Sequence, residues 1–247
     1  MHPSIHAKSA ADKPAIIMSP SGETLTYGEL DARSNQIAQL FRELGVKPGD
    51  AIAFSMENCA TFFELAWAAQ RSGLYYVTIS NRLQTDEIAY ILADCAAKVF
   101  VTSSALGTVP AELASRNLDI ALFSVGETMQ GYRDLESERA KQSAEPVADE
   151  QAGFDMLYSS GTTGRPKGIK PRAIVGEPVT TADTLVDLQT KLYGVSADSI
   201  YLCPAPVYHA APLKWTMAIH RIGATAVIME KFDPEGALAA IGQFAIT

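Results

Sequence analysis

Apolar residues in this chain come as short unbroken runs set between stretches where they recur every three or four positions, and the two patterns alternate. Ala15-Ile16-Ile17-Met18 is a run of the first kind and predicts a strand, closed by the turn-forming Ser19-Pro20-Ser21-Gly22. Thr26 and Glu29 then stand three apart, the spacing at which a hydroxyl and a carboxylate each take an orphan amide at a helix start. Behind them Leu30, Ser34, Ile37, Phe41 and Leu44 fall on one face of a predicted helix. Gly45 stops it, since glycine enters a left-handed conformation without strain.

The alternation continues. Ala51-Ile52-Ala53-Phe54 predicts a strand, Thr61 to Arg71 a helix carrying Phe62, Leu65 and Ala69, and Tyr75 to Ile79 another strand. Thr85 is the predicted cap of a helix holding Ile88, Ile91 and Leu92, with strands at Lys98 to Val101 and Ile120 to Phe123 after it. From Tyr132 to Gln151 the chain turns polar, and a solvated surface helix or loop is expected. Beyond residue 180 the pattern resumes: helix at Ala182 to Tyr193, strand at Ile200 to Cys203, helix at Leu213 to Arg221, strand at Ala224 to Met229, helix at Pro234 to Gln243. Strands alternating with helices at this spacing predict an α/β fold, a parallel sheet with helices on both faces. The expected division is a first αβ subdomain over 1–150 and the start of a second over 151–247.

Composition narrows the classes. At 247 residues the chain can bury roughly three quarters of its unfolded surface, and 47% hydrophobic with 19% charged residues excludes a disordered tail. A net charge of −8 argues against a dedicated nucleic-acid binder, while leaving room for a local basic loop. Cys59, Cys95 and Cys203 stand far apart without a C-x-x-C pair, so reduced and mostly buried thiols in a cytoplasmic protein are expected, not a disulfide frame or a zinc site. No signal-peptide core follows Met1, and no apolar run approaches the ~18 residues of a spanning helix. His2 and His6 are read as lying in a frayed terminus, Trp67 and Trp215 as core or pocket wall, and Cys203 as inert. His209 and His220 lack metal-ligand spacing, and no metal-ligating residue is assigned.

The chemistry concentrates in Tyr158-Ser159-Ser160-Gly161-Thr162-Thr163-Gly164-Arg165-Pro166-Lys167-Gly168, which follows an apolar strand end. Its glycines let successive N–H groups converge on one anion, its hydroxyls add neutral donors, and Lys167 adds a full positive charge. Such a set is a polyphosphate cradle. It is not the common P-loop, because Pro166 stands where that motif needs glycine. The bland alternative, a flexible linker, does not account for Pro-Lys-Gly at fixed register behind a strand.

This run resembles the phosphate-loop signature of the adenylate-forming superfamily of acyl-CoA synthetases, luciferases and peptide-synthetase adenylation domains. Leu25-Thr26-Tyr27-Gly28-Glu29-Leu30, Gly45-Val46-Lys47-Pro48-Gly49-Asp50, Pro206-Val207-Tyr208-His209 and Phe232-Asp233-Pro234-Glu235 are similar to further elements of that family, in its order. The resemblance implies layered αβαβα subdomains with mostly parallel sheets. It implies that Ser159, Ser160, Gly161, Thr162, Thr163, Gly164 and Lys167 bind the β- and γ-phosphates of ATP with Mg2+ and then the departing pyrophosphate. It places His209 at the acyl pocket beside the adenylation centre, gating and orienting a carboxylate. The reaction implied is attack of a carboxylate, from a fatty or aryl acid, on the α-phosphorus to give an acyl-adenylate, then thioester formation with CoA as co-substrate.

Two departures from the family pattern stand out. After Gly168 the chain reads Ile169-Lys170-Pro171-Arg172, with Pro178 soon after, so no immediate helix is expected behind the cradle. Gly242 to Thr247 reads as a helix exit entering an apolar strand, where family members continue for about as much again. The adenine and ribose contacts, the magnesium ligand, the hinge and a second catalytic lysine are implied for that remainder, so an N-terminal fragment that does not complete catalysis alone is expected. Two other functions stay open on the sequence: a non-catalytic nucleotide- or acyl-binding module, and adenylation for loading a carrier protein. The acyl group and the oligomeric state are open as well.

Overall fold

The computed structural model of the chain describes residues 1–159, 165–172 and 176–247. Within them the elements run α1 (Pro3–Ser9), β1 (Pro14–Ser19), β2 (Thr24–Thr26), α2 (Tyr27–Glu43), β3 (Ala51–Ser55), α3 (Ala60–Arg71), β4 (Tyr75–Thr78) and α4 (Thr85–Asp94). Then come β5 (Ala97–Ser103), α5 (Val109–Ser115), β6 (Ala121–Val125), β7 (Arg133–Asp134), α6 (Leu135–Arg139), β8 (Phe154–Asp155), β9 (Leu157–Ser159) and β10 (Lys167–Ile169). The last are α7 (Thr184–Leu192), β11 (Ile200–Cys203), α8 (Ala210–Ile222), β12 (Thr225–Met229) and α9 (Pro234–Gln243).

Local chemistry sets many of these boundaries. The capping box forms as its spacing predicts: the Thr26 N–H donates to Glu29 Oε2 at 2.9 Å, and the Glu29 N–H donates to Thr26 Oγ1 at 3.2 Å. The first of these bonds holds the Glu29 carboxyl below its usual range. At the other end of α2, Gly45 adopts φ +77° and Val46 N–H returns to Phe41 O at 2.9 Å, satisfying carbonyls the helix leaves open. Two expectations change. The cap of α4 is Gln84, whose N–H donates to Glu87 Oε2 at 2.9 Å, while Thr85 turns its hydroxyl to Glu112. The N-terminus is not frayed: His2 is buried and caps α1 by accepting the Ser4 N–H at 3.2 Å, and His6 Nε2 lies 3.0 Å from Arg221 O.

The chain divides into two compact units, Met1–Arg33 with Asn58–Glu64 and Thr180–Thr247, and Ser34–Glu57 with Leu65–Val179. A boundary at residue 150 therefore falls inside the second unit. The reason is pairing at long range: β1 lies parallel to β12, with Ile16 opposite Ala226 and Met18 opposite Ile228. The first strand thus belongs with the last.

The first unit holds a four-stranded sheet in the order β11-β12-β1-β2, parallel except for β2. Every residue of β12 is buried. α8 packs on β11 and β12, and α7 packs on α8. The terminal residue reaches the edge of this sheet, where the Thr247 N–H donates to Ile200 O at 3.1 Å. The second unit holds a six-stranded, wholly parallel sheet in the order β7-β6-β5-β3-β4-β8. Its five strands β4-β3-β5-β6-β7 follow a doubly wound order, in which the chain first builds outward on one side of β3 and then crosses to the other. β3 and β4 are buried along their whole length, the mark of parallel strands covered on both faces. Ala53, Val77 and Phe100 pack with Ile88, Ile91 and Leu113 in the core of this unit.

The polar stretch from Tyr132 to Gln151 is more than a solvated surface. Tyr132, Leu135 and Val147 are buried, and Asp149 and Glu150 face arginines. Arg71 is fully buried, with Nε 2.8 Å from Glu150 Oε1 and Nη1 donating to Ser34 Oγ at 3.0 Å. Arg42 pairs with Asp149 at 3.1 Å and donates to Ser72 O at 2.8 Å. A buried guanidinium needs a counter-charge, and the acidic stretch supplies it.

Among the core histidines, His220 is wholly enclosed in the first unit, edge-on to the Phe63 ring at 5.3 Å. Burial pushes its pKa down from 6.5 to about 3, against a weaker pull from a backbone hydrogen bond to Ala15. Its imidazole is therefore neutral in the fold, whereas the unfolded chain takes up a proton below 6.5. The neutral form's contribution is complete above pH 6.5 and is lost as the pH falls toward 3. Urea unfolding at pH 6.5 and 4.5 is expected to show a smaller loss of stability for His220→Gln than for the native chain, with a slope difference of up to about 1.4 kcal/mol per pH unit. Equal slopes would mean that His220 takes up its proton in the fold over the same pH range as in the unfolded chain.

Candidate functional site

The phosphate-loop candidate grows out of the polar strap. Gln151 N–H donates to Arg71 O at 3.2 Å and Gly153 N–H to Gln70 O at 2.5 Å, which brings the chain against the C-terminal end of α3. Phe154 and Asp155 then add β8 to the edge of β4, and Met156 N–H continues the ladder to Tyr76 O at 3.0 Å. Gly153 is indispensable there. A Cβ on it would stand 2.3 Å from Leu74 O, 2.6 Å from Ala69 O and 2.7 Å from Leu74 N, all rigid backbone. The sequence signal for this residue, an isolated glycine ahead of an apolar run, marks a close backbone approach. It was not among the predicted site residues.

β9 and β10 form an antiparallel hairpin, with Leu157 opposite Ile169, Tyr158 opposite Gly168 and Ser159 opposite Lys167. Two residues taken from the sequence as phosphate ligands are thus brought together as a cross-strand pair. Ser160, Gly161, Thr162, Thr163 and Gly164 lie outside the described residues. Ser159 and Lys167 are exposed. Gly168 has a packing role: a Cβ there would meet Met156 Cε at 2.7 Å and the Tyr158 ring at 2.8 Å.

Aromatic and charged contacts fasten the hairpin to its own unit. The Tyr158 hydroxyl donates to Asp94 Oδ2 on α4 at 2.5 Å; burial first, then this bond, push the phenol pKa upward. Arg165 stands over the Tyr90 ring at 5.3 Å, and Lys170 over the Tyr75 ring at 4.4 Å. The Tyr75 hydroxyl donates to Pro171 O at 2.8 Å. Cation–π contacts at exposed positions are worth roughly 0.5–1 kcal/mol each, so the hydrogen bonds of Tyr158 and Tyr75 carry at least as much of the fastening. No helix occurs among the described residues between β10 and α7, as Pro171 and Pro178 predict. Tyr75, Tyr90 and Asp94, like Gly153, were not foreseen as part of the site, since their partners lie 64 to 96 residues away for the two hydrogen bonds.

His209 belongs to the first unit. It is the N-cap residue of α8, extended at φ −83° and ψ 151°, and its side chain makes no capping bond. It follows the carboxyl end of β11, the end of a parallel sheet where ligands gather. Its N–H donates to Pro206 O at 3.2 Å, and its ring lies 4.5 Å from that of the buried Tyr208. The residue itself is exposed. Cys203 and Cys95 are buried and free, and burial raises both thiol pKa values, that of Cys95 to about 11. Neither is poised as a nucleophile. Among the described residues no group of three His, Cys, Asp or Glu stands close enough to hold a metal ion. No helix among them is long and apolar enough to cross a membrane.

A family model described as AMP-binding enzyme matches residues 4–247. The chain belongs to the AMP-binding enzyme family. Relatives of the chain include the fatty acid–[acyl-carrier-protein] ligase ScoC of Streptomyces coeruleorubidus, 26% identical over 99% of the chain and 46% of the relative. Feruloyl-CoA synthase of an Amycolatopsis species is 31% identical over 92% of the chain and 43% of the relative. The fold matches o-succinylbenzoate CoA synthetase of Bacillus subtilis, solved with its acyl-adenylate intermediate, at a TM-score of 0.76 and 21% identity, over 99% of this chain and 60% of that one. The chain spans about half the length of the curated relatives it matches. The layered α/β architecture with mostly parallel sheets agrees with the resemblance read in the sequence.

The backbone crowding at Gly153 gives a direct test of how the hairpin is delivered. Gly153→Ala is expected to lower the urea-unfolding free energy by about 3 kcal/mol or more, the upper end of overpacking effects. Gly242→Ala in α9, where a Cβ meets nothing within 4 Å, is the control and is expected to be neutral or to stabilise by up to about 1 kcal/mol. A Gly153→Ala chain as stable as the native one would show that α3 and β8 separate easily.

Proposed function

We propose that this chain takes part in activating a carboxylic acid, fatty or aryl, by attack of its carboxylate on the α-phosphorus of ATP, without completing catalysis alone. Pyrophosphate leaves as the acyl-adenylate forms; the thiol of CoA then attacks the acyl carbon, giving the thioester and releasing AMP. The observation that carries this reading is the cross-strand pair of Ser159 and Lys167, which holds a hydroxyl and an ammonium side by side at the two ends of a sequence rich in Ser, Thr and Gly. Negative charge builds on the departing pyrophosphate, and donors fixed in place before the reaction stabilise it without reorganising. In this reading Ser159, Ser160, Gly161, Thr162, Thr163, Gly164 and Lys167 hold the β- and γ-phosphates, and His209 orients the carboxylate. The named relatives, ligases for fatty and feruloyl acids, support the substrate class. Because one relative transfers to an acyl-carrier protein, a carrier thiol is the competing acceptor.

The test uses the gene product that carries this chain, assayed for pyrophosphate release across a panel of fatty and aromatic acids, and then for thioester with CoA or with a carrier protein. Lys167→Ala is expected to slow ATP–pyrophosphate exchange by about 10- to 100-fold, the equivalent of one or two charge-assisted hydrogen bonds. Unchanged exchange in Lys167→Ala would remove that residue from the phosphate site. ATP binding without acid-dependent pyrophosphate release would leave a nucleotide-binding module in place of an enzyme.

A further inference from the structure

The turn that presents His209 has little means of holding its own shape. Between Cys203 and His209 the chain reads Pro204-Ala205-Pro206-Val207-Tyr208, and its two prolines remove two backbone donors. A side chain from far away in sequence supplies the missing order. Asn58 Oδ1 accepts the buried Val207 N–H at 2.9 Å. Its Nδ2 donates to Ala205 O at 3.1 Å and to Met229 O at 2.7 Å. An amide has two donor hydrogens, and both are used.

The three bonds tie the turn to the carboxyl end of β12, whose last residue is Met229. All four residues belong to the first unit. Asn58 is itself buried, and it precedes α3 by two positions, so its own backbone is anchored by that helix. Nothing in the proposed reaction uses it, and it does not reach His209 itself.

We propose that Asn58 is a positioning residue: by clamping Ala205 and Val207 it fixes the direction in which His209 offers its imidazole to the substrate carboxylate. This rests on the reading of His209 given above. The geometry distinguishes asparagine from its isostere. Aspartate would still accept the Val207 N–H but would set a carboxylate against two carbonyl oxygens, so the turn would be pushed off at Ala205 and Met229.

The gene product carrying this chain is the material, with Asn58→Asp, Asn58→Ala, His209→Ala and the double variant Asn58→Asp/His209→Ala, each checked by thermal melting. At saturating ATP, Asn58→Asp is expected to raise KM for the carboxylic acid by about tenfold or more while KM for ATP stays within about twofold. In the His209→Ala background the same substitution is expected to change the acid's KM little, because the group it positions is gone. If His209→Ala raises the acid's KM and neither Asn58 variant does, the clamp is overturned and the reading of His209 stands. Equal effects on acid and ATP, or full additivity with His209→Ala, would make Asn58 a structural residue only. If His209→Ala leaves the acid's KM unchanged, the role of His209 falls and this inference with it. Should Asn58→Ala fail to fold, Asn58→Asp, equal in volume, carries the comparison.

Discussion

A guanidinium taken wholly out of water must find its charge partner inside the fold, and Arg71 does so in a way that organises everything leading to the candidate phosphate loop. It lies at the end of α3 with no exposed surface, and Glu150 meets it from the polar strap. Breaking such a pair by removing one partner leaves a buried charge uncompensated, which costs several times more than the pair itself contributes. The strap is therefore held at one register, and Gln151 and Gly153 follow at positions where their backbones bond to Arg71 and Gln70. β8, and behind it the hairpin of β9 and β10, inherit that register.

Most of the regular structure was legible because it is written locally. The box of Thr26 and Glu29, the glycine that ends α2, and the apolar runs of β1, β3 and β12 each depend on residues within a few positions of one another. What was not legible depends on partners far away. His2 at the start of α1 is buried in spite of its terminal position. The acidic strap looks like a solvated surface until Arg42 and Arg71, 107 and 79 residues earlier, are placed beside it. The cap of α4 moved by one residue for a similar reason, since Thr85 has a longer-range partner in Glu112 that composition does not announce.

The candidate site divides along the same line. Its proposed ligands read as a motif, because hydroxyls, glycines and a lysine at fixed spacing carry their chemistry in their identities. The pairing of Ser159 with Lys167 and the fastening of Tyr158 to Asp94 were not, being products of strand register and of a helix 64 residues upstream. His209 was legible as a candidate and Asn58 was not. An asparagine near a helix start reads as a local cap, and only the fold reveals that its amide is spent on a turn 147 to 149 residues later.

The parallel pairing of β1 with β12 also bears on how the protein comes into being. Residues 14–19 leave the ribosome well before residues 225–229, so the strand beside them is finished only when Met229 has been made. At about 5–20 residues per second, the first strand waits on the order of ten seconds or more for its neighbour. The six-stranded sheet has all its strands by Asp155 and need not wait. Long-range contacts of this kind slow folding because the loop must be closed before it is rewarded. For β1, therefore, synthesis comes well before the arrival of its parallel neighbour.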